Sequence, residues 1–423
     1  MNDFFLRVKN LVLSKTAKDT SVVFIGNAIS FFFGIIFTIL AARQIDPADW
    51  GIFSGIVGFV GILVAVGELG LTSGLFKFVS NLWEKGDRQS AEIALSTIFT
   101  MRLISASLLA FIVMIFSGQI VRGVFKLEDV AFAWVAAGGI LLFLLNDFQI
   151  TILQSKGRWG YASVFSFLNN LFRLVLIIIL PMFFGLSLFA LSAIFFISPL
   201  ATFLTSLIYE RPRISIGADF RKLIKKISIF SFWMGTNRTA GAVSSRVDAL
   251  LLLQLATPTQ AGIVGIARQL ANAVLILIAS FATVVAPRFA TYKGKNLRSY
   301  FKKTFLLSAV IAFAILVGIL FVDPVIFLLG PKYIASSAVF KGLLLTLIPF
   351  VLFTPSTNAL IYSFNKPQIV AILSAVQLPL IVAGNIYAIP RWGIFGPVFV
   401  LAVWNLSTLL VSYSFAFREF KKA

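Results

Sequence analysis

Apolar runs of roughly 20 residues, nearly free of charge, follow one another along the whole chain, and short polar stretches rich in Lys, Arg, Gly and Pro separate them. At about 1.5 Å per residue such a run crosses a hydrocarbon layer about 30 Å thick, so the pattern predicts membrane-spanning helices. Barrel strands would be about 10 residues long and alternate in polarity, a pattern that does not fit these runs. Twelve spans are predicted, at about 21–42, 50–80, 92–117, 131–155, 160–183, 186–210, 223–254, 259–287, 299–322, 333–363, 367–389 and 394–419. The first follows a basic tail, as a signal peptide would, but its core from Val22 to Ala42 is too long for one and ends without a small-residue cleavage site. The connections leave no room for a soluble domain. The expected organisation is therefore a cytoplasmic tail (1–20), a six-helix bundle (21–210), a cytoplasmic linker (211–222), a second six-helix bundle (223–419) and a short cytoplasmic tail (420–423).

Composition agrees. Of 423 residues, 59% are hydrophobic and only 12% charged, a balance that no water-soluble chain of this length keeps at its surface. The 46 phenylalanines are scattered over the apolar faces, where contact with lipid accounts for them. Cysteine and histidine are both absent, which removes thiolate chemistry, the commonest general base and the commonest metal ligand. No phosphate-binding loop of the Gly-x-x-x-x-Gly-Lys-Ser/Thr type occurs, so neither ATP hydrolysis nor any cofactor is expected.

The net charge of +20 is distributed unevenly. Loops on one side of the predicted spans hold 25 Lys and Arg and those on the other side 5, which places both termini in the cytoplasm and the chain in the cell membrane. Anionic lipid at the inner face is the natural partner of that charge, and no nucleic acid is needed to explain it.

A shift of 211 residues superposes Asp49-Trp50-Gly51-Ile52-Phe53 on Gln260-Ala261-Gly262-Ile263-Val264 and Lys77-Phe78-Val79-Ser80 on Arg288-Phe289-Ala290-Thr291. Six spans per repeat is an even number, so both halves enter the membrane from the same side. The expected fold is an all-α integral membrane protein whose two bundles are related by a pseudo-two-fold axis along the membrane normal.

Charges inside spans cost about 2.5–3.5 kcal/mol each on insertion scales and so require a partner, water or a task. Glu68, Arg238, Arg246, Asp248 and Arg268 fall in the second, seventh and eighth spans, and Asn27, Ser30, Gly34, Thr38 and Ala41 form one small or polar stripe on the first. By depth the charges sort into an inner pair, Glu68 and Arg238, and an outer trio, Arg246, Asp248 and Arg268. Three guanidinium groups against two carboxylates suit an anion, and the planar fork of arginine suits phosphate oxygens. Structural ion pairs joining helices are the alternative reading for each of these residues. Arg102 and Asp147, on adjacent antiparallel spans, are expected to pair structurally. Asn169 and Asn170 beside Arg173 offer an extended polar lining, and Lys77 and Arg288 are expected to snorkel to headgroups. Pro199, Pro349, Pro355 and Pro379 mark bends, either static or used in gating.

The run Ala41-Ala42-Arg43-Gln44-Ile45-Asp46-Pro47-Ala48-Asp49-Trp50-Gly51-Ile52-Phe53, with Gly67-Glu68-Leu69-Gly70-Leu71, resembles the amino-terminal signature of Wzx-type polysaccharide-biosynthesis flippases. These belong to the MOP (multidrug, oligosaccharidyl-lipid, polysaccharide) exporter superfamily. Gly262-Ile263-Val264-Gly265-Ile266-Ala267-Arg268 with Ala286-Pro287-Arg288 is similar to that family's eighth span. The resemblance implies a MATE-like fold and alternating-access export of a polyprenyl-diphosphate-linked oligosaccharide to the outer leaflet, alongside a polysaccharide polymerase and glycosyltransferases. An exporter of drugs or cations, coupled to protons or sodium through Glu68, Asp147 or Asp248, is the second reading. A membrane glycosyltransferase is the third, and it lacks the sizeable loop with placed acid and base that such an enzyme needs; the chain is expected not to be an enzyme.

Overall fold

The computed structural model describes residues 15–214 and 218–422, and every regular element among them is helical. Among the described residues twelve helices run for 19 residues or more. In the first half these are α1 (Lys15–Gln44), α2 (Pro47–Glu68), α3 (Arg88–Ile115), α4 (Ala131–Ser155), α5 (Trp159–Phe184) and α6 (Leu188–Ser206). In the second they are α7 (Ala218–Leu255), α8 (Pro258–Thr291), α9 (Gly294–Ile319), α10 (Ser336–Asn358), α11 (Pro367–Trp392) and α12 (Gly396–Lys422). Eight helical stretches among the described residues are long and apolar enough to cross a membrane, the last of them, Pro367–Lys422, taking in both α11 and α12. Large apolar side chains such as Phe111, Phe183, Leu320 and Leu410 are exposed, as a surface meeting hydrocarbon requires.

Local chemistry sets the boundaries. Thr257 caps α8 by accepting from the Gln260 amide, the Gln260 side chain accepts in return from the Thr257 amide, and Pro258 occupies the first helical position. Asp87 and Ser187 cap α3 and α6 in the simpler way, and α5 stops at Gly185, whose φ of 69° is open to glycine at no steric cost. Pro199, Pro349, Pro355 and Pro379 all lie inside continuous helices, and a π-helical turn, Ala359–Ser363, follows Pro355 at the end of α10.

Two boundaries differ from expectation. The second span, read as one helix over 50–80, breaks at Leu69 (φ 52°) and Gly70 (φ 70°) and resumes as Leu71–Gly74 and the π-helical Leu75–Ser80. Two successive left-handed residues cannot continue a right-handed helix, and their apolar flanks hide the break from a hydropathy reading. Helix α7 starts at Ala218, within the stretch expected to be linker. The basic tail before Lys15 lies outside the described residues.

Packing divides the chain into two units, Met1–Ala41 with Phe59–Thr239 and Ala42–Gly58 with Ala240–Ala423. Within the first, α4 packs on α3 and α6, and α5 on α6. Within the second, α10 packs on α9 and α12, and α11 on α12, the same three pairings displaced by six helices. The first unit's core gathers Leu71, Leu75, Ile98, Phe148, Ile152 and Ile227; a core of the second gathers Val285, Phe289, Phe301, Ala359 and Phe420.

Candidate functional site

In the first unit the break after α2 brings that helix against α7. A Cβ on Gly70 would overlap the Ser231 carbonyl, and one on Gly235 would lie 2.7 Å from the Leu69 carbonyl carbon and 2.9 Å from the Gly70 nitrogen. Only glycine at both positions allows this approach, and it places Arg238, one turn beyond Gly235, against Glu68 at the end of α2. The Arg238 guanidinium pairs with Glu68 Oε1, which also accepts from the Thr72 amide at 3.3 Å. The Thr72 hydroxyl accepts in turn from Arg102 Nη2 at 3.2 Å, and the same nitrogen pairs with Asp147 at 3.0 Å. Thr72, which sequence reasoning passed over, therefore joins the expected inner pair to the expected structural pair in one network of two arginines and two carboxylates. Burial is asymmetric: the Arg102 side chain is fully buried while that of Asp147 is 54% exposed.

Arg173 lies apart from this network, its guanidinium 4.0 Å from the centre of the Phe195 ring and its Nε donating to the Ser198 hydroxyl at 3.3 Å. Ser198 donates to Asn169, so Asn169 supports Arg173 through a hydroxyl, while Asn170 bonds back to the Ser166 carbonyl. Lys77 sits 3.8 Å over the Phe230 ring.

In the second unit the opening turns of α2 and α8 meet reciprocally. A Cβ on Gly51 would overlap the Pro258 carbonyl, and one on Gly262 would overlap the Pro47 carbonyl. Pro47 and Pro258, like Gly51 and Gly262, are 211 residues apart, so repeat-equivalent positions face each other across a local dyad. Farther along these helices Arg268 of α8 pairs with Asp248 of α7, whose other oxygen accepts from the Ala249 amide at 3.0 Å. Arg246 is exposed, with no ion pair to an acid among the described residues. Asn27 lies on α1, but its side chain is outside what the structure describes.

Arg268 opens onto a cavity of about 150 Å³ inside this unit. Ser244, Asn272, Thr346, Gln377 and Asn405 supply its polar wall, and Leu343, Leu347, Phe350 and Ile381 part of its apolar one. The Asn405 amide nitrogen donates to the Thr346 carbonyl at 2.8 Å. Of the candidate residues whose side chains are described, Arg268 lines the cavity; Asp248 pairs with it, and Arg246 is not part of the lining. The amides were legible only in part: Asn272 follows Arg268 by four residues, hence on one helical face, whereas Gln377 and Asn405 are isolated in apolar helices and only tertiary structure assembles them.

Each unit thus pairs an arginine inside its long helices with an acid, and two further in-helix arginines, Arg173 and Arg246, have no ion pair among the described residues. The fold is one seen in solved structures of MOP superfamily transporters. Three solved structures show it: the lipid II flippase MurJ in an inward closed conformation (TM-score 0.72, 14% identity, covering 95% of this chain and 89% of that one), an inward-facing multidrug resistance MATE transporter (0.68, 14%, 93% and 95%) and a MOP superfamily transporter from Pyrococcus furiosus (0.64, 17%, 96% and 95%). At these identities the likeness establishes the fold. The model of the polysaccharide biosynthesis protein family matches residues 16–293, and the chain belongs to that family, as the motifs around Gly51 and Gly262 led us to expect. Comparison with curated protein sequences finds no match.

Proposed function

We propose that this protein is a flippase that carries polyprenyl-diphosphate-linked oligosaccharide from the inner to the outer leaflet for assembly of a surface polysaccharide. Its twelve long helices then all span the membrane as two six-helix bundles, with both termini in the cytoplasm, and transport proceeds by alternating access. Family membership supports the substrate class. The observation that carries the reading is the surplus of positive charge: Glu68, Asp147 and Asp248 are each matched by one arginine, which leaves Arg173 and Arg246 uncompensated. A diphosphate is the anion that such a surplus attracts, and guanidinium donors bind its oxygens in pairs. The amides and hydroxyls beside Arg268 suit the hydroxyls of a sugar, while the prenyl chain stays in lipid. A polymerase and glycosyltransferases are the partners this role calls for.

Translocation of a fluorescent polyprenyl-diphosphate oligosaccharide in proteoliposomes tests the reading. Arg246→Ala should reduce flipping at least tenfold and Arg246→Lys should restore part of it, since lysine keeps the charge and loses the fork. Unchanged flipping in Arg246→Ala, Arg238→Ala and Arg268→Ala alike sinks the assignment of the cations. The exposed carboxylate of Asp147 favours one other reading, a proton- or sodium-coupled cation exporter. Uptake of a small cation against a proton gradient, with no flipping of any lipid-linked sugar, would establish that reading instead.

A further inference from the structure

A second cavity, of about 480 Å³, lies on the outside of the second unit between α9 and α12, and none of the charges considered above lines it. From α9 it takes Arg298, Phe301, Lys302 and Phe305, spaced at i, i+3, i+4 and i+7 and so on one helical face. From α12 it takes Tyr413, Phe417 and Phe420, again on one face. Phe301 forms the floor, buried, with ring centres 4.9 Å from Phe420 and 5.9 Å from Tyr413. Phe305 and Phe417, 42% and 54% exposed, form the lips. The Tyr413 hydroxyl donates inward to the Leu352 carbonyl at 3.0 Å and fixes its ring.

One end of this groove is cationic. Arg298 Nη2 donates to the Phe420 carbonyl at 2.6 Å, which pins the guanidinium at the mouth with most of its five donors unspent. Lys302 is exposed and has no ion pair among the described residues. The nearby carboxylate, Glu419, is taken by Lys366 at 2.9 Å and Lys422 at 3.3 Å and leaves both cations uncompensated. Beyond the lips the same helices continue as bare apolar surface, with Leu306, Val310, Phe313 and Leu410 exposed, which places the groove against hydrocarbon. Two free cations at the end of an aromatic slot on a lipid-facing surface recognise an amphiphilic anion. A slot of about 480 Å³ has room for one acyl chain laid along it.

We infer that the groove between α9 and α12 is a specific site for one anionic phospholipid, its phosphate held by Arg298 and Lys302 and one acyl chain lying on Phe301 between Phe305 and Phe417. The lipid belongs to the cytoplasmic leaflet, a placement that rests on the orientation given above; the site itself does not depend on the transported substrate.

Native mass spectrometry of the detergent-solubilised full chain, titrated with phosphatidylglycerol or with phosphatidylcholine of the same acyl chains, tests this without any transport step. One phosphatidylglycerol should bind ahead of phosphatidylcholine. Lys302→Gln should weaken that binding about fivefold, the effect of one lost cation near a lipid headgroup, and Phe305→Ala with Phe417→Ala should weaken both lipids. Lys303→Gln, one residue off the face, should change neither. Equal binding of the two lipids, or an equal loss in Lys303→Gln, overturns the site; displacement of phosphatidylglycerol by equimolar polyprenyl phosphate overturns its occupant. Because the chain has no cysteine, labelling of Lys422→Cys from either side of sealed vesicles reads the orientation separately.

Discussion

Arg102 shows how much one side chain can depend on its neighbour's exposure. Its Nε and Nη1 are buried without a partner, so Asp147 and Thr72 carry the whole of its compensation. Removing Asp147 strands a fully buried cation, whereas removing Arg102 leaves a half-exposed carboxylate that can recruit water. Asp147→Leu should therefore cost about 3 kcal/mol of stability and Arg102→Met clearly less, read as thermal unfolding midpoints in detergent. The reverse order would mean that Asp147 faces hydrocarbon. Arg268 poses a different question, since its partner Asp248 is buried and Arg268→Gln leaves that carboxylate alone. The double variant Arg268→Gln with Asp248→Asn should regain stability. Recovery of flipping with it would reduce Arg268 to a structural ion; stable protein that still fails to flip would keep it as a substrate ligand. The charges themselves were legible in the sequence, because each interrupts an apolar run. Their pairing was not, since the chain just after α2 approaches α7 through the bare backbone at Gly70 and Gly235, which no spacing in the sequence announces.

At the scale of elements, caps and punctuation were readable and broken helices were not. The Thr257-Pro258-Thr259-Gln260 run announces the start of α8, and Gly185 the end of α5. The motif Gly67-Glu68-Leu69-Gly70-Leu71 carried the family resemblance, yet its structural meaning, a left-handed break beside an ion pair, emerges only from the backbone angles. Leu69, a bulky residue at φ 52°, holds strain of order 1 kcal/mol that the packing around Gly70 must offset. The glycine contact between α2 and α8 makes the sharper prediction. Gly51→Ala and Gly262→Ala each drive a methyl into a carbonyl of the opposite helix and should each cost about 2 kcal/mol or more. Gly138→Ala, in α4 with open space around its Cβ, should be neutral or slightly stabilising. Equal stability of all three variants would show that the opening turns of α2 and α8 do not meet this closely.

For the whole molecule, the twelve long helices and the 211-residue offset could be read from hydropathy and turn residues, because span length and loop chemistry are set locally. Which helices pack with which could not, and the seams fall inside α1, at Ala41–Ala42, inside α2, at Gly58–Phe59, and inside α7, at Thr239–Ala240, whereas the tether after Arg211 was the expected boundary. Three continuous helices therefore carry residues of both units. If the units change their mutual arrangement during transport, as alternating access requires, these helices must bend or slide at those seams. A glycine marks two of them, Gly58 in α2 and Gly241 in α7. A Cβ on Gly241 would meet nothing within 4 Å, so Gly241→Ala fits without a clash and should raise helix stability by about 0.5–1 kcal/mol. Transport should nevertheless slow, because alanine stiffens the point at which α7 passes between units. Because Gly241 also lines the cavity beside Arg268, a variant with an unchanged or higher unfolding midpoint, unchanged substrate affinity and a flipping rate reduced severalfold would locate the bend in α7. Unchanged flipping at higher stability would move it elsewhere, with the Leu69–Gly70 break after α2 as the next place to look.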